Sequence, residues 1–111
     1  MSTLSTHVLD TMNGRPAAGL AVVLIGPGGE IARDTTDAEG RCPRLAPAGL
    51  EPGRYALRFA VADYFRGLGA MLADPPFLDE VTVDFGIAAA GGHYHVPLLV
   101  SPYAYSTYRG S

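Results

Sequence analysis

The sequence predicts a mainly all-β fold, an antiparallel β-sandwich of seven or eight short strands with one short helix. Three observations carry that prediction. The 14 Gly and 9 Pro are scattered between apolar runs without any period, which marks many tight turns rather than a helical bundle or a collagen-like repeat. Residues 54–61 alternate basic or small residues with Tyr55, Leu57, Phe59 and Val61, the period of a strand with one face in a core. A length of 111 residues with 48% hydrophobic content suits one domain, residues 1–111, whose core needs neither disulfide nor structural metal.

The elements follow in order. Thr6-His-Val-Leu-Asp10 reads as a strand and Asn13-Gly-Arg-Pro16 as the turn after it. Leu20-Ala-Val-Val-Leu-Ile25 is apolar on both alternating faces, as expected of a strand covered on both sides. It stops at Gly26-Pro-Gly-Gly29, a hairpin into Glu30-Ile-Ala-Arg-Asp34. Asp37-Ala-Glu-Gly40 is a plain turn, because Ala38 breaks the alternating oxygen ligands of a calcium loop. After the 54–61 strand, residues 62–71 place Tyr64, Phe65 and Leu68 at helical spacing, and Pro75-Pro76 forbids continuation. Alternation returns through Phe77, Asp79, Val81, Val83 and Phe85, and Ala88 to Gly92 makes a connection. Residues 94–100 and 103–108 then form two strands split by Ser101-Pro102.

Composition removes several chemistries. All eight basic residues are Arg, so there is no P-loop lysine and no lysine Schiff base. The net charge of −3 and the spread of Arg from Arg15 to Arg109 offer no basic stripe for nucleic acid. The longest aliphatic run, Leu20 to Ile25, cannot cross a bilayer, and no charged-then-apolar leader opens the sequence. With the single Cys42, expected to be a turn-flanking or buried thiol, these features lead to the expectation of an unexported cytoplasmic protein without membrane partners.

The polar residues that packing does not explain are few. His93 and His95 share one face of an extended strand. With His7 from a neighbouring strand they have the donor type for a catalytic zinc, but no acidic second partner accompanies them and no metal or other cofactor is assigned. The competing reading of His7 and His95 is of half-buried sheet histidines with local hydrogen bonds, and of His93 an exposed loop edge. Arg41 follows a Gly turn, and Arg109 sits near the end of a strand where Tyr94, Tyr103, Tyr105 and Tyr108 supply amphipathic surface. If the first, penultimate and last strands pair in one sheet, His7, His95 and Tyr108-Arg-Gly-Ser111 converge on one face.

Leu4-Ser-Thr-His-Val-Leu-Asp10, Gly14-Arg-Pro-Ala17, Thr36-Asp-Ala-Glu-Gly-Arg41, Tyr94-His-Val-Pro-Leu-Leu99 and Ser101-Pro-Tyr-Ala-Tyr-Ser-Thr-Tyr-Arg-Gly-Ser111 together resemble the 5-hydroxyisourate hydrolases, transthyretin-related enzymes of urate breakdown. The resemblance spans essentially the whole sequence, and its Tyr-Arg-Gly-Ser ending separates the hydrolases from the thyroid-hormone carriers. Asp79 departs from it, standing where many relatives have Pro. What it implies is a transthyretin-like sandwich assembled as a homotetramer, with sites in a channel between dimers. It also implies 5-hydroxyisourate as the small-molecule substrate. On this resemblance His7, Arg41, His95 and Ser111 are the catalytic candidates, Tyr108, Arg109 and Gly110 the substrate-binding ones, and His93 matches no catalytic position. Either His7 or His95 can be the base, Arg41 suits an oxyanion, and the Ser111 hydroxyl and carboxylate can hold a ring edge or an imidazole. The alternative is a non-catalytic carrier of a small aromatic ligand using the same channel.

Overall fold

Strands whose alternate residues are apolar bury one face each, and here they do so in two four-stranded sheets packed face to face. The computed structural model describes residues 1–88 and 91–111. In chain order the elements are β1 (Thr3–Asp10), β2 (Arg15–Pro16), β3 (Ala21–Gly26), β4 (Gly29–Thr35), β5 (Gly53–Phe59), α1 (Val61–Gly67), β6 (Val81–Ile87), β7 (His93–Val100) and β8 (Tyr105–Thr107). One sheet has the order β2-β1-β7-β8 and the other β4-β3-β5-β6. Between them lie Val8, Leu20, Val22, Leu24, Leu57, Phe59, Leu98 and Val100, all fully buried. The mainly β sandwich with one short helix is as the sequence predicts, with one pairing of different sense: β1 and β7 run parallel. Nearly the whole chain separates them and passes through the other sheet, so no hairpin turn forces them antiparallel.

Four local expectations give way to tertiary context. In β3, Val22 and Leu24 are buried while Ala21 is exposed and Val23 and Ile25 are only partly covered, because only one face of that sheet turns to the core. The helix begins at Val61 and ends at Gly67. Gly69 takes a left-handed conformation (φ +85°), the amide of Ala70 turns back to the carbonyl of Phe65 at 3.0 Å, and Leu68 is left exposed. The alternation at 77–80 belongs to no strand: Phe77 is solvent-exposed and β6 starts only at Val81. The last strand is the three residues of β8, and the 88–92 connection lies partly outside the described residues, at 89 and 90.

Buried polar groups tie β1 in place. The Asp10 carboxylate accepts hydrogen bonds from the Asn13 amide nitrogen (2.9 Å), the Asn13 side chain (2.7 Å) and the Tyr64 hydroxyl (2.7 Å), joining the end of β1 to α1. Burial works to raise the Asp10 pKa, but these hydrogen bonds outweigh it and hold the carboxyl below its usual range. Midway along the strand, the Thr6 hydroxyl donates to the Val96 carbonyl across the β1–β7 seam at 2.7 Å. Both groups point inward, which leaves the odd-numbered residues of β1 and β7 for the opposite face. No helix among the described residues is long and apolar enough to cross a membrane.

Candidate active site

The outward face of the β1–β7 pair is a grid fixed by register. Thr3 lies opposite His93, Ser5 opposite His95 and His7 opposite Pro97, so His7 and His95 are diagonal neighbours. Both imidazoles are half-buried, in keeping with the sheet-histidine reading, and His93 is exposed at the start of β7. The Ser5 hydroxyl joins the two histidines of β7, lying 2.7 Å from His95 Nδ1 and 3.1 Å from His93 Nε2. The Thr3 hydroxyl is 2.6 Å from His93 Nδ1.

Arg41 reaches this face through a turn built for it. The Asp37 carboxylate accepts hydrogen bonds from the amides of Glu39 (2.9 Å) and Arg41 (3.0 Å), while the Asp37 amide donates to the Arg41 carbonyl at 2.9 Å. The turn is clasped to β1, where the Val8 amide donates to the Gly40 carbonyl (2.8 Å) and the backbones of His7 and Arg41 pair as an isolated antiparallel bridge. Gly40 has φ +78°, and a Cβ there would collide with the Val8 carbonyl oxygen, so this residue must be glycine for Arg41 to sit beside His7.

The other flank is the segment after β8. The register that pairs Leu98 with Thr107 also pairs His95 with Gly110, and it sets Tyr108 across from Pro97 on the histidine face. Pro97 has no N–H to donate, so the ladder is interrupted there. The Thr107 hydroxyl takes up the Pro97 carbonyl at 2.7 Å, and pairing resumes where the Gly110 amide donates to the His95 carbonyl at 2.8 Å. The His95 ring lies against Gly110, where a Cβ would collide with it. Arg109 points the other way: its guanidinium stacks 4.1 Å from the Tyr94 ring centroid and donates to the His93 carbonyl at 3.2 Å, fastening the segment. Ser111 follows at the exposed end.

The structure therefore brings together His7, Arg41, His95 and Gly110, sets Tyr108 on the same face, and places the Arg109 side chain off it. Burial lowers the His95 pKa, and the positive charge of Arg41 and the neighbouring His7 and His93 push it the same way, against a smaller opposing contribution from Ser5. His95 is accordingly a neutral imidazole at pH 7. Ser5, Thr3, Asp37 and Gly40 escaped the sequence reading as site residues. Ser5 was findable, since two residues before His7 on a strand is the same face. Cys42 is buried away from the site, its thiol pushed up to about 12 by burial and by the charges of Asp34 and Asp37. No group of three or more His, Cys, Asp or Glu among the described residues is arranged to hold a metal ion.

A model of the HIUase/Transthyretin family matches residues 4–110. A 5-hydroxyisourate hydrolase of Caulobacter vibrioides is 50% identical over 115 residues, with 100% of both chains covered. Among solved structures, Klebsiella pneumoniae 5-hydroxyisourate hydrolase superposes with a TM-score of 0.87 at 39% identity, covering 100% of each chain. Sea bream transthyretin in complex with thyroxine gives a TM-score of 0.84 at 29% identity, covering 96% of this chain and 93% of that one. On sequence and fold alike, the chain belongs to the HIUase/Transthyretin family.

Proposed function

We propose that this protein hydrolyses 5-hydroxyisourate to 2-oxo-4-hydroxy-4-carboxy-5-ureidoimidazoline, a step of urate breakdown. The observation that carries the proposal is the juxtaposition of two half-buried imidazoles, His7 and His95, with the Arg41 backbone bridged to His7, the Arg41 charge felt at His95, and Gly110 pressed against the His95 ring. Full-length relatives at about half identity that carry the hydrolase name add to it. Water attacks a carbonyl carbon of the six-membered ring while one imidazole takes its proton. The tetrahedral oxyanion faces the Arg41 fork, the ring C–N bond breaks, and the departing nitrogen takes up a proton. The other imidazole orients the water. Tyr108 and Ser111 bind the ring edge, and Arg109 serves substrate binding by holding their segment down on Tyr94.

The histidine face is open to solvent in one chain, which suits a homotetramer in which a second dimer covers it. Covering it excludes water and strengthens each polar contact. The same polarity speaks against a carrier of an aromatic ligand, which would strand His7, His95 and Arg41 without water. The test is the ultraviolet decay of freshly generated 5-hydroxyisourate with and without the protein, in buffer containing a chelator. Accelerated decay supports the hydrolase, and the turnover number falls by about two to four orders of magnitude in His7→Asn and His95→Asn. Decay at the buffer rate from folded protein overturns the proposal.

A further inference from the structure

The odd residues of β1 and β7 form a continuous hydrogen-bonded row that the proposed chemistry leaves unexplained: Thr3 Oγ1 to His93 Nδ1 at 2.6 Å, His93 Nε2 to Ser5 Oγ at 3.1 Å, and Ser5 Oγ to His95 Nδ1 at 2.7 Å. We propose that this row is a proton relay that makes His95 the base of the reaction, with Ser5 and His93 as its positioning residues and Thr3 as its outlet to solvent. The proposal rests on the hydrolase reading and refines it by naming the base.

Ser5 has one hydroxyl proton for two imidazole nitrogens, so it donates to one and accepts from the other, and the tautomers of His93 and His95 are locked together. With His95 protonated at Nδ1, its Nε2 is bare and faces the site. When Nε2 takes a proton from water, the Nδ1 proton passes to Ser5, the Ser5 proton to His93 Nε2, and the His93 Nδ1 proton through Thr3 to bulk water. Every group in the row gains one proton and loses one, and the hydroxide left behind adds to the carbonyl. His95 Nε2–H then protonates the departing nitrogen, and the row runs backward from solvent to its starting state, so that one water is consumed in all.

The surroundings of His95 give the relay its purpose. Arg41 on its turn, His7 on β1 and His93 on β7 all oppose a positive charge on the half-buried ring. The segment after β8 brings Gly110 and Tyr108, with Arg109 turned onto Tyr94 and the Ser111 carboxylate at the exposed end. The three positive or titratable neighbours, Arg41, His7 and His93, disfavour an imidazolium at His95, and passing the proton through exposed His93 and Thr3 to solvent avoids forming one.

The test compares Ser5→Ala and His93→Gln with the parent protein. A Gln at 93 can still donate to Ser5 but cannot pass a proton along. The relay predicts that both variants lose about tenfold or more in kcat with KM within about twofold, and that added imidazole buffer restores the rate. Parental kcat in either variant, or a loss that imidazole leaves untouched, overturns it. In ¹⁵N-detected titrations of the parent, the His95 ring signals should follow protonation of His93 as well as their own, and the coupling should vanish in Ser5→Ala. That readout needs no turnover. If the parent fails to hydrolyse 5-hydroxyisourate, the hydrolase reading falls and takes the role of His95 as base with it, while coupling of the two rings would still show the row itself. Absence of coupling in the parent removes the relay whatever the activity.

Discussion

Gly110→Ala tests the site through one methyl group. Gly110 is partly buried at the sheet edge, outside the core, and its backbone is not left-handed, so alanine brings no backbone strain. A Cβ there would lie 3.1 Å from His95 Cγ and 3.2 Å from its Cβ, and closer still to Cδ2, where carbon atoms rest at about 3.5 to 4.0 Å. Something must retreat by roughly 1 Å. Either the imidazole tilts, stretching its 2.7 Å contact with Ser5, or the segment lifts and gives up the 2.8 Å bond from the Gly110 amide to the His95 carbonyl, taking Tyr108 with it. A misplacement of that size costs about 100-fold in rate when the moved group takes part in the chemistry. The two routes separate kinetically: a tilted ring lowers kcat, whereas a lifted segment raises KM. Steady-state decay of 5-hydroxyisourate, with thermal unfolding as the control for fold, should show kcat/KM down about 100-fold and an unfolding temperature within a few degrees of the parent. A kcat/KM within about twofold of the parent would refute the claim that the Gly110 contact sets the His95 ring.

Four further outcomes are expected. Tyr64→Phe removes one of three hydrogen bonds to the buried Asp10 carboxylate and should cost about 1.5 to 3 kcal/mol in urea unfolding, whereas a change below about 0.5 kcal/mol would show that the Asn13 bonds suffice. Because the folded-state pKa of His95 is depressed, the unfolded chain binds more protons below pH 6.5. His95 therefore contributes to stability above that pH, and the contribution is lost as pH falls through and below 6.5. Arg41→Gln removes one source of the depression, so the His95 titration followed by NMR should move up toward its ordinary value, and an unmoved titration would place the cause elsewhere. Finally, Cys42, buried and with its thiol near 12, should resist a thiol reagent in the native state and react at the rate of unfolding; prompt native-state labelling would contradict the burial.

How much of this is legible in the sequence depends on whether a residue's position follows from its neighbours or from distant chain. Alternation in 54–61 and 94–100 fixes which residues face the core, and strands form there, except that the first stops at Phe59 and Val61 opens α1 instead. Alternation at 77–80 is equally regular yet builds no strand, because Pro75 and Pro76 precede it and Phe77 stays mostly exposed, its one aromatic neighbour among the described residues being Tyr103. The sense of the β1–β7 pair is set by the path of the chain through the second sheet, which no local pattern encodes. The site divides along the same line. His7 and His95 are readable as outward residues of their strands. The place of Arg109 depends on the Tyr94 ring, an even-numbered neighbour that draws the guanidinium off the histidine face, and the motif by itself would have put all of Tyr108-Arg-Gly-Ser111 on one side.

One register serves both faces of the sheet, and this ties the chemistry to the core. The inward set Thr6, Val8 and Asp10 packs beside Val96, Leu98 and Val100, and the Thr6 bond to the Val96 carbonyl together with the Asp10 cluster pins β1 against sliding. The outward set Thr3, Ser5 and His7 then has no freedom in its partners: Ser5 must meet His95 and Thr3 must meet His93. A slip by one residue would turn both sets over, placing His7 in an apolar interior and Val8 in the site. The apolar residues of β1 and β7 thus select the arrangement in which the polar row is assembled. Gly40 and Gly110, which select nothing by packing, are the two positions where the absence of a side chain lets Arg41 and the segment after β8 close on it from either flank.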